Sequence, residues 1–226
     1  MKRTIIIMAK VPRAGNVKTR LEPFLSDEQC RSLAEAFLHD TIHKARNVGD
    51  QLVIHFAPAH EKDYFADSFF ESQFLIEQRG ADLGEKMWNA FDFAFRRNAD
   101  SPVVLIGTDS PTFPAEFLEL AFDFLEAKTD AVLGKSEDGG FYLIGLRKIH
   151  KRIFENVEWS SPKVFEQTTR NIEQLKIKLQ LIPEWFDVDA PDDLRRLRDE
   201  VLKNSEVQKT APRTVQWLNA NTKIFR

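Results

Sequence analysis

The sequence contains a single cysteine, Cys30, among its 226 residues. One thiol excludes an internal disulfide framework and a cysteine-based zinc knuckle, and it is typical of a reducing compartment. No apolar run approaches the roughly 20 residues that a membrane-spanning helix needs. The apolar stretch that follows Met1-Lys2-Arg3 reaches the basic residue Lys10 too soon for a signal peptide. We therefore expect a soluble, cytoplasmic protein with no transmembrane segment.

The sequence also lacks an excess of charge of either sign. Its 32 Lys and Arg residues against 35 Asp and Glu residues leave a formal net charge of -3, which argues against a nucleic-acid-coating protein. Three common motifs are missing: the G-x-x-x-x-G-K-[ST] phosphate loop, the G-x-G-x-x-G dinucleotide fingerprint and the G-x-S-x-G nucleophile elbow. Any binding of phosphates must therefore come from a local arrangement of charges.

Hydrophobic residues make up 42% of the chain, and their order predicts the fold class. Short apolar runs predict strands at 4–9, 51–57, 74–77, 102–107, 131–134, 141–146 and 176–182. Apolar residues at helical spacing predict helices near 26–45, 82–98, 114–125, 148–156, 162–171 and 192–203. Such alternation predicts an α/β protein with a largely parallel sheet and helices on both faces.

A basic loop follows the first predicted strand. Lys10, Arg13, Lys18 and Arg20 place four cations in one short segment, and Gly15 permits a close approach of the backbone. Arginine binds phosphate oxygens in pairs and lysine adds a point charge, so the loop suits a polyphosphate. The alternative is a basic loop that only contacts solvent.

Acidic residues follow two other predicted strands. Asp109 comes directly after the apolar run 103–106, where it could hold a metal ion or cap a turn. Asp189 lies at a predicted helix N-terminus, which accounts for its charge, whereas Asp187 precedes that position and has no such structural role. Ligands in open α/β sheets bind at the carboxyl ends of strands. Carboxylates brought together there would favour Mg²⁺ or Mn²⁺.

A glycine pair and a tryptophan add two further features. Asp138 precedes Gly139 and Gly140, whose amides could approach a substrate while the carboxylate binds a hydroxyl or acts as a general base. The alternative is a hairpin turn, because Asp-Gly is a strong turn signal. Trp159 is either part of a lid or an aromatic anchor.

Six segments in this order resemble the bacterial family of GT-A-type nucleotide-diphospho-sugar transferase-like proteins, whose members are often described as glycosyltransferases. They are residues 10–21, 80–84 with Met87, 107–111, 138–145, 159–160 and 187–194. The resemblance covers roughly residues 3–200. A similar Lys-Thr-Arg-Leu and Asp-Val-Asp pattern occurs in the guanylyltransferases for 2-phospholactate and the molybdenum cofactor.

The resemblance implies a GT-A fold, an αβα sandwich around a mixed sheet of about seven strands. It also implies a divalent metal held by Asp109, with Asp187 or Asp189 as the second contributor. The G-G-x-G-x-R loop of sugar nucleotidylyltransferases is missing, which argues against nucleotidyl transfer from a nucleoside triphosphate. Arg13-Ala14 and Ser161 are smaller departures from the family pattern, and neither touches the expected metal site.

The resulting hypothesis is a Mg²⁺- or Mn²⁺-dependent transferase that uses a nucleoside-diphosphate sugar and a small-molecule acceptor. Asp109 and Asp138 would be catalytic, and the remaining residues would bind the nucleotide (Lys10, Arg13, Gly15, Lys18, Arg20, Asp82, Leu83, Gly84) or the other substrate (Gly139, Gly140, Trp159). Two alternatives are a nucleotidylyltransferase that releases pyrophosphate and a nucleotide-binding protein without catalytic activity. We place the transferase domain at 1–203. The tail at 204–226 docks on this domain or on a partner subunit, which leaves a homodimer open.

Overall fold

The computed structural model describes residues 1–22, 24–68 and 73–225. These residues form seven strands and eight α-helices. The strands are β1 (Thr4–Lys10), β2 (Gln51–Ala57), β3 (Gln73–Glu77), β4 (Val103–Ile106), β5 (Ala131–Ser136), β6 (Phe141–Leu146) and β7 (Leu179–Trp185). The helices are α1 (Asp27–Val48), α2 (Lys62–Ser68), α3 (Leu83–Arg97), α4 (Ala115–Glu126), α5 (Val164–Gln174), α6 (Pro191–Lys203), α7 (Ser205–Thr210) and α8 (Pro212–Ala220). Within these segments, no helix has both the length and the apolar character needed to cross a membrane.

The strands form one mixed sheet in the order β3-β2-β1-β4-β6-β5-β7. Strand β6 runs antiparallel to both of its neighbours, and the other pairs are parallel. The carboxyl ends of β1, β4, β5 and β7 therefore lie on the same edge of the sheet. The predicted mixed, mostly parallel sheet of about seven strands is confirmed.

Helices cover both faces of the sheet, as the uninterrupted apolar sequence of β1 requires. Ile5 and Ile7 of β1 pack into the cluster beneath α1 and α4, whereas Ile6 packs into the cluster beneath α3. All three side chains are fully buried. The predicted αβα sandwich is confirmed by this arrangement.

The structure corrects several predicted element boundaries. The helix expected at 148–156 is only a short 3-10 turn, Lys151–Phe154. The strand expected at 176–182 is displaced to Leu179–Trp185 because β7 is an edge strand, where Pro183 is tolerated and burial gives only a weak sequence signal. The helix α2 has no counterpart among the predicted elements.

The C-terminal segment packs on the outer face of α1. Val207, Trp217 and Leu218 are buried against Leu33 and Phe37 in a third apolar cluster. Asp40 of α1 accepts hydrogen bonds from three donors near the start of α8: the amide of Arg213 (2.9 Å), the amide of Thr214 (2.7 Å) and the hydroxyl of Thr214 (2.7 Å). The boundary at residue 203 stays a prediction.

The Asp40 contacts predict a large loss of stability in the Asp40→Ala variant. The substitution leaves buried donors without an acceptor, and each such donor costs about 1–3 kcal/mol. We expect the free energy of unfolding to fall by about 2–4 kcal/mol in urea denaturation followed by circular dichroism. Asp100→Ala, at an exposed turn, should change it by no more than about 0.5 kcal/mol. A loss below about 1 kcal/mol for Asp40→Ala would show that the tail is not anchored there.

Candidate functional site

A cavity of about 820 Å³ opens at the edge of the sheet where β1, β4, β5 and β7 end. Its walls are the loops that follow these strands, the first turn of α3 and the segment 159–162. The polar residues that line it include Lys10, Asn16, Lys18, Thr19, Arg20, Gln78, Asp109, Ser110, Asp138, Asp187 and Asp189. The cavity is therefore lined by three of the four cations of the basic loop and by the acids that follow the other strands.

Lys18 connects the basic loop with both acidic loops. Its ammonium group donates a hydrogen bond to Asp109 Oδ1 and pairs with Asp189 Oδ1 at 3.2 Å. A third bond, of 2.8 Å, goes to the backbone carbonyl of Val188. The loops after β1, β4 and β7 thus meet at one amino group.

The position of Lys18 is unusual for a lysine. Its backbone lies in the left-handed region at φ 52°, and only 6% of its side chain is exposed. Burial lowers the pKa of Lys18, but the carboxylates of Asp109 and Asp189 outweigh that effect, so the pKa is raised overall. Lys18 is therefore a fixed positive charge inside the cavity.

Asp187 is a partly buried acid of the site. Its carboxylate accepts hydrogen bonds from the hydroxyls of Ser110 and Ser136, the latter at 2.8 Å. Burial, reinforced by repulsion from Asp109 and Asp138, raises the pKa of Asp187 to about 6. A positive ligand near this group would favour its ionised form.

The turn between β5 and β6 presents Asp138 to the cavity. Asp138 Oδ1 accepts a hydrogen bond of 2.8 Å from the amide of Gly140. Gly139 has φ +91°, and a Cβ there would lie 2.1 Å from the carbonyl oxygen of Pro162. This contact requires glycine and fixes the turn against the segment 159–162.

Trp159 packs against the first turn of α3. A Cβ on Gly84 would lie 2.6 Å from the indole ring, so the contact depends on glycine at that position. Asp82 caps α3 by accepting from the amide of Glu85 at 2.8 Å, and Leu83, which is 43% exposed, lines the cavity. Asp82 and Gly84 do not line the cavity themselves.

The remaining basic residues divide into two groups. Lys10 and Arg20 line the cavity; the Lys10 ammonium donates to the carbonyl of Asn16 at 2.6 Å, and Arg20 lies 4.0 Å from Asp189. Arg13 instead forms a two-pronged ion pair with Glu61 outside the cavity lining, at 2.9 and 2.6 Å. Gly15, at φ +73°, shapes the loop without lining the cavity.

The structure also contains site residues that the sequence did not single out. Ser110 and Ser136 hold Asp187, and Lys44 of α1 donates to the carbonyls of Pro111 (2.9 Å) and Phe113 (2.5 Å) in the loop after Asp109. Ser110 and Ser136 each lie at or just beyond the end of a strand. That position is the only feature of the sequence that could have marked them as site residues. Lys44 gave no such signal, because its partners are backbone carbonyls 67 and 69 residues further along the chain.

The predicted metal ligands share the cavity without forming a closed metal cluster. Among the residues that the structure describes, no three Asp, Glu, His or Cys side chains are grouped tightly enough to enclose an ion. Asp109 and Asp189 lie on either side of the Lys18 ammonium, and Asp187 is held by its two serines. Their oxygens are of the type that Mg²⁺ and Mn²⁺ prefer.

Comparison with known proteins agrees with this geometry. A family described as uncharacterized proteins conserved in bacteria, DUF2064, matches residues 41–161. The crystal structure of a candidate nucleotide-diphospho-sugar transferase from Desulfovibrio desulfuricans G20 is 30% identical, with a TM-score of 0.92 over 99% of this chain and 96% of that chain. No curated protein matches the sequence. The resemblance to nucleotide-diphospho-sugar transferase-like proteins is confirmed.

Two more distant structures share the fold alone. Rv0371c from Mycobacterium tuberculosis H37Rv, in complex with manganese, is 16% identical with a TM-score of 0.52 over 86% of this chain and 96% of that chain. CMP:2-keto-3-deoxy-manno-octonic acid synthetase, complexed with CTP, is 10% identical with a TM-score of 0.52 over 90% of this chain and 99% of that chain.

The serine contacts of Asp187 predict a measurable change in its titration. In Ser136→Ala, we expect the pKa of Asp187 to rise above about 6, because a hydroxyl that favours the ionised carboxylate is lost. Carbon-13 NMR titration of the aspartate carboxyl groups in metal-free protein would measure it, with exposed Ser205→Ala as the control. An unchanged or lower pKa would contradict the hydrogen bond.

The same shift predicts how stability changes with pH. Burial and the neighbouring acids raise the pKa of Asp187 in the folded state to about 6. The protonated carboxyl group therefore adds to the free energy of unfolding, fully below about pH 4, and this stabilisation is lost as the pH rises through about 6. Asp187→Asn should flatten this part of the pH dependence of urea unfolding. An unaltered dependence would show that another group controls it.

Proposed function

The chain belongs to the bacterial family DUF2064, and from its site we propose that it is a metal-dependent transferase that uses a nucleoside-diphosphate sugar. The observation that carries the proposal is the meeting of the basic loop with Asp109, Asp187 and Asp189 around one cavity. Cations suit the diphosphate, and carboxylates suit a divalent ion bound to it. The 30% identical structure from Desulfovibrio desulfuricans G20 supports the same class of donor.

The acids of the cavity fit Mg²⁺ or Mn²⁺. Asp187 is partly buried near Asp109 and Asp138, and burial, reinforced by repulsion from these acids, raises its pKa to about 6. We assign Asp109 and Asp187 as the ligands, with Asp189 as a further contributor. The bound ion would stabilise negative charge on the departing diphosphate. The manganese complex of Rv0371c, which shares the fold, supports this assignment.

The basic loop holds the diphosphate in this proposal. Lys10, Lys18 and Arg20 line the cavity and would bind phosphate oxygens. Among these residues, Lys18 is the best candidate phosphate ligand, because it is a buried cation adjacent to Asp109. Arg13 would act only after leaving Glu61, and Gly15 allows the loop to turn close to the phosphates.

The start of α3 forms the part of the cavity that we propose binds the nucleoside. Leu83 offers an exposed apolar side chain to the cavity. Asp82 fixes the first turn of α3, and Gly84 allows Trp159 to pack beneath it. Asp82 and Gly84 thus serve the nucleotide by positioning Leu83 and Trp159.

The reaction requires one bond to form and one to break. An acceptor hydroxyl oxygen bonds to the anomeric carbon of the sugar, the bond from that carbon to the diphosphate breaks, and its electron pair stays on the diphosphate. The hydroxyl proton passes to a base, for which Asp138 is our candidate because its carboxylate lines the cavity. Gly139 and Gly140 hold this carboxylate in place.

Nucleotidyl transfer is the second candidate, since the fold is shared with the CTP-bound CMP:2-keto-3-deoxy-manno-octonic acid synthetase. It would join part of a nucleoside triphosphate to the second substrate and release pyrophosphate. Sugar transfer releases a nucleoside diphosphate instead. Identification of the released product by ion-exchange chromatography separates the two reactions, and binding without either product favours a non-catalytic role.

Nucleotide binding can be tested before the acceptor is identified. We expect one or more nucleoside diphosphates or nucleotide sugars to raise the melting temperature in the presence of Mn²⁺. A ligand at 100 times its Kd stabilises by about 2.7 kcal/mol, which corresponds to a shift of about 5–10 °C for a domain of this size. A panel without any shift would refute the proposal.

Asp109→Ala provides the matching test of the metal assignment. It should remove the Mn²⁺-dependent part of the shift, because one of the proposed ligands is lost. Asp100→Ala, whose side chain lies at the opposite edge of the sheet before β4, should retain it. A full Mn²⁺-dependent shift in Asp109→Ala would show that the ion is bound elsewhere.

A further inference from the structure

The charges that line the cavity are unevenly distributed. Among the lining residues in the described part of the chain, the cations are Lys10, Lys18 and Arg20, and all come from the loop after β1. The wall formed by the β5–β6 turn and the segment 159–162 contributes one negative charge and otherwise neutral groups. Its lining side chains are those of Asp138, Phe141, Trp159, Ser160, Ser161 and Pro162.

The basic residue nearest in sequence to this wall does not compensate for Asp138. Lys163 follows the segment 159–162, but its side chain is 60% exposed and pairs with Glu158 at 3.1 Å. It is not part of the cavity lining. Among the described residues, Asp138 is therefore the one charged side chain that this wall contributes to the cavity lining.

Asp138 keeps hydrogen-bonding capacity for a ligand. In the described structure, its Oδ1 accepts from the amide of Gly140, whereas Oδ2 has no protein donor. A carboxylate oxygen that lines a cavity without a donor is well suited to accept a bond from a hydroxyl group. A phosphate at this point would meet a charge of its own sign.

The aromatic part of the wall is fixed in place. Trp159 packs on Gly84, and its ring lies 6.5 Å from that of Phe141 in an edge-on arrangement. The amide of Phe165 donates to the carbonyl of Gly139 at 2.8 Å, which joins the turn to the start of α5. Flat apolar surface, two serines and one carboxylate together suit a ring or chain that carries hydroxyl groups.

We infer that the second substrate is an uncharged polyhydroxy compound, bound through a hydroxyl to Asp138, and not a phosphorylated one. This inference rests on the proposed function and makes it more specific. It favours sugar transfer over nucleotidyl transfer to a phosphorylated acid or sugar, because such a substrate would need cations that this wall lacks. The proton of the bound hydroxyl would pass to the Asp138 carboxylate as the oxygen bonds to the anomeric carbon.

Matched pairs of probes test the charge preference. Protein loaded with Mn²⁺ and the nucleoside diphosphate that gives the largest thermal shift would be titrated calorimetrically with glucose, mannose, glycerol and myo-inositol, and with the monophosphate of each. We expect at least one neutral compound to bind at least tenfold more tightly than its own phosphate. Tighter binding of the phosphates, or no binding of any neutral probe, would overturn the inference.

Asp138→Asn tests the assigned contact. The amide should retain the bond from Gly140 but weaken binding of the neutral probe by about tenfold, with the affinity for the nucleoside diphosphate unchanged. Glu137→Gln is the matched control, because this neighbour pairs with Arg196 outside the cavity lining. Equal binding of the neutral probe by Asp138→Asn and the wild type would overturn the assignment.

The same measurements distinguish a failure of the inference about the second substrate from a failure of the proposed function. If the protein does not bind a nucleoside diphosphate with Mn²⁺, the proposed function is wrong and this inference falls with it. If the nucleotide binds and a phosphorylated probe is preferred, only the inference fails. Retained nucleotide affinity also shows that the Asp138→Asn variant is folded.

Discussion

One buried ammonium group holds together the loops that form the cavity. Lys18 reaches Asp109, 91 residues later, and Asp189, 171 residues later. A buried charge of this kind is stable only when it is paired and hydrogen-bonded, so the three loops depend on one another. The amide of Val188 reinforces the arrangement by donating to the carbonyl of Asp109 at 2.9 Å. The basic loop and the acidic loops are thus one electrostatic unit.

The antiparallel strand β6 explains why the cavity has two unlike walls. The other six strands all leave the sheet at its carboxyl edge, whereas β6 enters there. The short turn from β5 to β6 therefore places Asp138, Gly139 and Gly140 beside the loops after β4 and β7. A parallel crossover in this position would need a long connection, and the tight contact between Gly139 and Pro162 would be lost. The topology therefore places the turn that carries Asp138 next to the basic loop that follows β1.

Much of the fold could be predicted from sequence because strands β1 and β4 are buried on both faces and read as continuous apolar runs. The shared location of Asp109 and Asp187 also followed, since parallel strands end at one edge, whereas Asp138 was predicted only as part of a turn or of a substrate site. The contacts of Lys18 could not be predicted, because they join segments far apart in the sequence. Lys44 was missed for a related reason: its partners are backbone carbonyls of Pro111 and Phe113, which leave no side-chain pattern. Edge strand β7 was misplaced because only one of its seven side chains is buried.

The balance of charge in the cavity makes metal and diphosphate depend on each other in the proposed reaction. Asp109, Asp187 and Asp189 would repel a diphosphate that arrived without a cation, and Lys18 would repel a divalent ion that arrived without an anion. Each ligand removes the repulsion that opposes the other, so their binding is coupled in both directions. Lys18 can then exchange part of its bonding from carboxylate to phosphate without leaving the cavity. In the proposed reaction, Lys18 would thus pair with Asp109 and Asp189 before the diphosphate binds and with the diphosphate afterwards.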